Sequence, residues 1–255
     1  MKKKICNINL NKFFNLIMIK NKKINTKLTK LIKYYSLVNH NLIFNNQTIN
    51  RYKDTVFEAK GPKVDQLRKL KSSIENIQGC NLKKNATNIV FSDGNPNSQI
   101  MIIGEGPGAN EDKEGYPFVG RAGILLDKML LSIKLDRKKV YITNVVNFRP
   151  PENRSPTEKE IEIYLPYLNK HIQIIDPKIL ILLGSTALNT ILGDIEVISK
   201  VRGKWFKKKI GNCEVFVIAS FHPAFLMRQP TQKAMSWIDL KMIRKKISEL
   251  KIKID

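Results

Sequence analysis

The chain has 255 residues, and 45 Lys and Arg against 22 Asp and Glu give it a formal net charge of +23. That length fits one ordinary domain with an extension. No apolar run approaches the ~18 residues needed to span a bilayer, and three scattered cysteines (Cys6, Cys80, Cys213) exclude a disulfide scaffold and suggest a reducing compartment.

Residues 1–53 carry twelve Lys or Arg and no acid. They begin a Lys/Asn-rich extension, taken as residues 1–60, that we expect to be partly disordered. Within it, "KLTKLIKYYSLV" (27–38) has the pattern of a short helix, and the basic start is a poor secretory signal. A cytoplasmic, bacterial location is the simplest expectation; in a eukaryote the same segment would suit organelle targeting. The excess positive charge on both parts of the chain favours a polyanionic partner, nucleic acid first.

The main domain is expected over 61–255. "VDQLRKLKSSIENI" (64–77) sets Leu67, Leu70, Ile74 and Ile77 at helical spacing. Four apolar runs then read as buried strands: "IMII" (100–103), "VYIT" (140–143), "KILILL" (178–183) and "EVFVIA" (214–219). Amphipathic helices alternate with them, through Ala122–Ile133, from about Thr157, at "STALNTIL" and over 231–250. This alternation predicts a three-layer α/β/α sandwich around a mainly parallel sheet of about four strands. In such sheets the ligand sits beyond the carboxyl ends of the strands. A glycine loop, Asn144 and His222 all fall there.

The loop "GEGPGANEDKEGYPFVGRAG" (104–123) looks like a phosphate cradle, but its chemistry disagrees. It lacks the Lys-Ser/Thr pair of a P-loop, and Pro107 interrupts the dinucleotide pattern. Glu105, Glu111, Asp112 and Glu114 would repel a pyrophosphate. A neutral planar ligand fits better: Gly106 and Gly108 admit close backbone approach, and Phe118 offers a stacking face. The Asn144 amide can both donate to and accept from a pyrimidine edge, and His222 can donate to an oxygen gathering negative charge. Taken singly, each has a plain structural role as turn or core; their convergence makes the case.

The motifs "GEGPGANEDKEGYPFVGRAGILLDKML", "VYITNVVNFRPPENRSPT", "VRGKWF" and "FHPAFLMRQP", in this order over about residues 64–250, resemble the type 4 uracil-DNA glycosylases. The resemblance implies excision of uracil from DNA, and we expect a monomer that acts on single- or double-stranded DNA in the first step of base-excision repair. It implies that Phe118 stacks on the flipped base, Asn144 reads its edge, Glu105–Gly106 line the pocket, and His222 stabilises the leaving anion. Leu226 or Met227 would wedge into the duplex, Arg228 would hold phosphate, and Arg149 and Arg154 would meet the backbone. The residue that positions water is open among Glu111, Glu105 and Asn144, with Glu111 ranked first. The alternatives are a non-catalytic nucleic-acid-binding relative and a glycosylase for other deaminated bases.

The chain departs from that family at its iron–sulfur ligands. Of the four cysteine positions only Cys80 keeps a thiol; Ile77, Phe148 and Tyr164 stand at the others. A [4Fe–4S] cluster needs four ligands, so no cofactor and no metal are expected, with apolar packing in the cluster's place.

Overall fold

The computed structural model describes residues 62–193 and 197–253. The 27–38 helix and the expected extension lie outside the described residues. The chain divides into two units, 1–51 and 52–255, and all the described residues belong to the second.

Helix α1 (Pro62–Glu75) buries Leu67, Leu70 and Ile74, the stripe its spacing predicts. After the short α2 (Leu82–Asn85) come β1 (Asp93–Gly94) and β2 (Ile100–Gly104). The glycine loop holds a one-turn helix α3 (Ala109–Glu114) and leads into α4 (Arg121–Ser132). Next come β3 (Tyr141–Asn144), α5 (Glu158–Ile175), β4 (Ile179–Leu183) and α6 (Ser185–Leu192). The chain continues through α7 (Ile198–Val201), β5 (Trp205–Ile210), β6 (Cys213–Ser220), α8 (Pro223–Arg228) and α9 (Lys233–Glu249).

The strands form one sheet in the order β1-β3-β2-β4-β6-β5. The four central strands are parallel and coincide with the four apolar runs. Two antiparallel edge strands, β1 and β5, extend the expected four to six. β1 has only two residues, too few for a periodic signal. β5, "WFKKKI", is half-exposed and Lys-rich, as edge strands often are. All residues of β2, β3 and β4 are buried, because helices cover both faces. Opposite faces of the sheet contribute two apolar clusters, one around Met101, Tyr164 and Leu180 and the other around Ile102, Leu130 and Ile181.

Local chemistry fixes the ends of these elements. Thr157 caps α5 in a capping box with Glu160, whose carboxylate also takes a bidentate fork from Arg154 at 2.8 and 2.7 Å. That fork holds the Glu160 carboxyl down at about 2. It also ties the compact "RPPENRSP" connection to the start of α5. No helix among the described residues is long and apolar enough to cross a membrane.

Candidate active site

The carboxyl ends of the parallel strands converge on a cleft of about 190 Å³. β2 delivers Gly104 and Glu105, β3 delivers Asn144, and β6 delivers His222 two residues beyond its end. The β2–β3 register pairs Gly104 with Asn144. A Cβ on Gly104 would lie 2.5 Å from both the Asn144 Oδ1 and the Phe118 Cζ, so only glycine lets the amide and the ring close over the strand end.

Phe118 is buried and its ring stacks on His222, with centroids 5.5 Å apart and planes 28° apart. Asn144 is 3 % exposed, yet its side-chain amide has no hydrogen-bond partner among the described residues, and it lines the cleft. A buried amide left open toward a cavity is a feature that calls for a ligand. His222 is the N-cap of α8, and its Nδ1 accepts the Ala224 N–H at 3.2 Å. That contact fixes the neutral tautomer with the proton on Nε2, a donor. Burial pushes the His222 pKa below its ordinary value; Glu105 and Glu111 oppose this and Arg228 adds to it.

The four acids of the glycine loop part ways. Both oxygens of Glu111 are engaged by backbone: Oε2 accepts the Gly108 N–H at 3.1 Å and Oε1 the Gly120 N–H at 2.8 Å. Glu111 thus caps the first turn of α3 through the Gly108 N–H and ties it to the start of α4. Asp112 turns away and accepts from the N–H groups of Thr87 and Asn88. Glu114 is exposed. Glu105 accepts from Thr186 Oγ1 at 2.5 Å through Oε2, and its other oxygen has no hydrogen-bond partner among the described residues.

Of the expected DNA contacts, Arg154 lines the cleft. Leu226 is 1 % exposed and packs in the core, so it is not available as a wedge; α8 turns the face carrying Pro223 and Leu226 inward. Met227, next to it, is half-buried and Arg228 is exposed. Arg149 is half-buried and donates to Asn153, while Arg154 is exposed but held by Glu160. A larger cavity of about 390 Å³, around Lys63, Asp176 and Lys178, lies at the amino ends of the strands and shares no residue with the cleft.

At the cluster positions, Ile77, Cys80, Phe148 and Tyr164 belong to one packed apolar core. The Cys80 thiol donates to the Tyr164 hydroxyl at 3.6 Å, and burial holds that hydroxyl protonated far above its ordinary range. One thiol with three side chains of this kind does not fit a four-thiolate cluster. Cys213 hydrogen-bonds Gln173 O on other elements, and no metal-binding cluster of His, Cys, Asp and Glu occurs among the described residues.

Several residues that brace the site from behind carried no sequence signal. Arg137 sits in "DRKK" and reads as surface charge, yet it is buried and binds the backbone of Phe118. Asp239 receives Arg202 and Ser220, bracing the end of β6 just ahead of His222. Thr186 stood in a stretch read only as helix; its place directly after β4 was the available clue.

The uracil DNA glycosylase superfamily model matches residues 91–244. A type-4 uracil-DNA glycosylase of Sulfurisphaera tokodaii is 42 % identical over 186 residues, covering 71 % of this chain and 84 % of that protein. One from Thermotoga maritima is 43 % identical over 61 % of this chain and 80 % of its own length. A type-5 uracil-DNA glycosylase of Pyrobaculum aerophilum is more distant, 27 % identical over 51 % of this chain and 63 % of its length. By sequence, fold and cleft, this chain belongs to the uracil DNA glycosylase superfamily, in its type-4 branch.

Proposed function

We propose that the chain is a DNA glycosylase that flips uracil out of DNA and hydrolyses its N-glycosidic bond, initiating base-excision repair. The observation that carries this reading is the convergence of the Phe118 ring, the open Asn144 amide and the Nε2–H of His222 on one cleft. A stacking face, a two-way hydrogen-bonding edge and a donor are what a pyrimidine needs once it has left the duplex. The basic surplus of the chain supplies affinity for the phosphate backbone, and Arg154 lines the cleft itself.

The chemistry is set by these groups. The bond between the sugar C1′ and uracil N1 breaks, and its electron pair stays on the base. His222 donates to the oxygen where that charge collects, an effect worth roughly 10²–10³ in rate for one well-placed donor. Cationic character develops on the sugar, which the nearby carboxylates favour. Water then adds to C1′ and gives up a proton, and uracil leaves as the neutral base once its anion gains one. We assign the water to Glu105 rather than Glu111, because Glu105 keeps an oxygen without a protein donor while both oxygens of Glu111 hold backbone.

The protein works without an iron–sulfur cluster: apolar packing around Ile77, Cys80, Phe148 and Tyr164 takes over that region's structural role. It works as a monomer, since one chain supplies the whole cleft, and in the cytoplasm, where the buried thiols of Cys80 and Cys213 stay reduced. The test is purified protein on single-stranded, U·G and U·A oligonucleotides, scored for abasic sites and for iron. Binding without abasic sites would identify a non-catalytic relative. Stoichiometric iron would refute the metal-free reading.

A further inference from the structure

Phe118 holds a φ of 55°, in the left-handed region that bulky side chains avoid. Something must keep it there. The backbone carbonyls on either side of this bend, Pro117 O and Phe118 O, both accept from the guanidinium of Arg137, through NH1 at 3.1 Å and through NH2. Arg137 is itself anchored: NH1 donates to Asp93 Oδ2 at 2.6 Å and Nε to Asp127 Oδ1 at 2.8 Å. Arg137 and Asp93 are both buried. The start of α4 leaves room for the same carbonyl, since a Cβ at Gly123 would lie 1.6 Å from Phe118 O.

We propose that Arg137 is a positioning residue for the base-stacking ring. It fixes the direction of the Phe118 carbonyl, hence the left-handed turn, hence the ring's place against His222. The proposal rests on the reading that Phe118 stacks on the flipped uracil. Arg137 lies behind the ring and touches no substrate, and an ordinary buried ion pair would need only its carboxylates. The two carbonyl contacts, made at the one strained aromatic of the cleft, are what set it apart. Asp93, on the edge strand β1, and Asp127, on α4, hold the guanidinium plane at the angle that reaches both oxygens.

The test is a double-mutant cycle of Arg137→Lys with Phe118→Ala. Lysine keeps the charge for Asp93 and Asp127 but has no fork to span two carbonyls. We expect Arg137→Lys to slow single-turnover uracil release by about 10- to 100-fold when Phe118 is present. In the Phe118→Ala background it should change the rate by less than about twofold, because contacting residues that act as a unit are not additive. DNA affinity should stay near wild type in both. Equal losses in the two backgrounds would overturn the proposal and make Arg137 a purely structural ion pair. Full activity of Phe118→Ala alone would instead refute the site reading on which the proposal rests. Should Arg137→Lys fold poorly by its melting curve, Asp127→Asn loosens the anchor while leaving the fork, and the same cycle decides with it.

Discussion

Replacing Gly104 by Ala adds one methyl group at the point where β2, β3 and the stacking loop meet. The residue closes β2 in register with Asn144, and its backbone lies outside the left-handed region, so alanine can adopt it. Space is the obstacle. The new Cβ would sit 2.5 Å from Asn144 Oδ1 and from Phe118 Cζ, and 2.8 Å from Phe118 Cε2, where ordinary contact begins at 3.4 Å. Ring and amide must therefore retreat by about 1 Å, or the strand must shift, at an overpacking cost of about 1–3 kcal/mol. A displacement of that size at the groups that hold the base should lower kcat/KM by about 10²-fold. The melting temperature should fall by only a few degrees. Single-turnover kinetics on a U·G oligonucleotide, beside a thermal melt, measures both. Activity within about threefold of wild type, with an unchanged melt, would show that the base is not held against this strand end.

His222→Ala should lower kcat by about 10²–10³ with DNA affinity nearly unchanged, as removal of one anion-stabilising donor does. Because burial pushes the His222 pKa below 6.5, the rate should be level above that pH and fall only in more acidic buffer. There protonation of Nδ1 would end its acceptance of the Ala224 N–H. Glu105→Gln should slow the chemical step more than Glu111→Gln, whose larger effect should be on stability, since Glu111 ties two backbone segments; the reverse order would return the water to Glu111. His171 is wholly buried, its Nε2 is 2.7 Å from the Tyr141 hydroxyl, and burial lowers its pKa to about 3. Its depressed pKa contributes stability that is complete above 6.5 and lost as pH falls toward about 3, by up to about 1.4 kcal/mol per pH unit. Urea unfolding at pH 6.5 and near pH 5 should show that loss in wild type and less of it in His171→Gln; equal losses would assign it to other groups.

Four parallel strands and their covering helices were legible because each is an apolar run or a 3.6-residue stripe, and local pattern is what sequence displays. The strand-end rule brought the glycine loop, Asn144 and His222 to one edge without coordinates, and the loop's missing Lys-Ser/Thr pair, its Pro107 and its four acids argued against phosphate. The loss of the cluster thiols at Ile77, Phe148 and Tyr164 was equally a matter of residue identity. What sequence could not display is direction. Leu226 and Met227 are neighbours of similar chemistry, yet the turn of α8 buries the first and leaves the second half-exposed. Glu105 and Glu111 are both loop carboxylates, and only their distances separate an acid that braces backbone from one with an oxygen to spare. Arg137 lies among lysines, and its burial between Asp93 and Asp127, 44 and 10 residues away, exists only once the chain has folded. Residue types settle what chemistry a chain can perform, because composition and period are local. Which atoms are free to perform it is decided by long-range contacts that have no local trace.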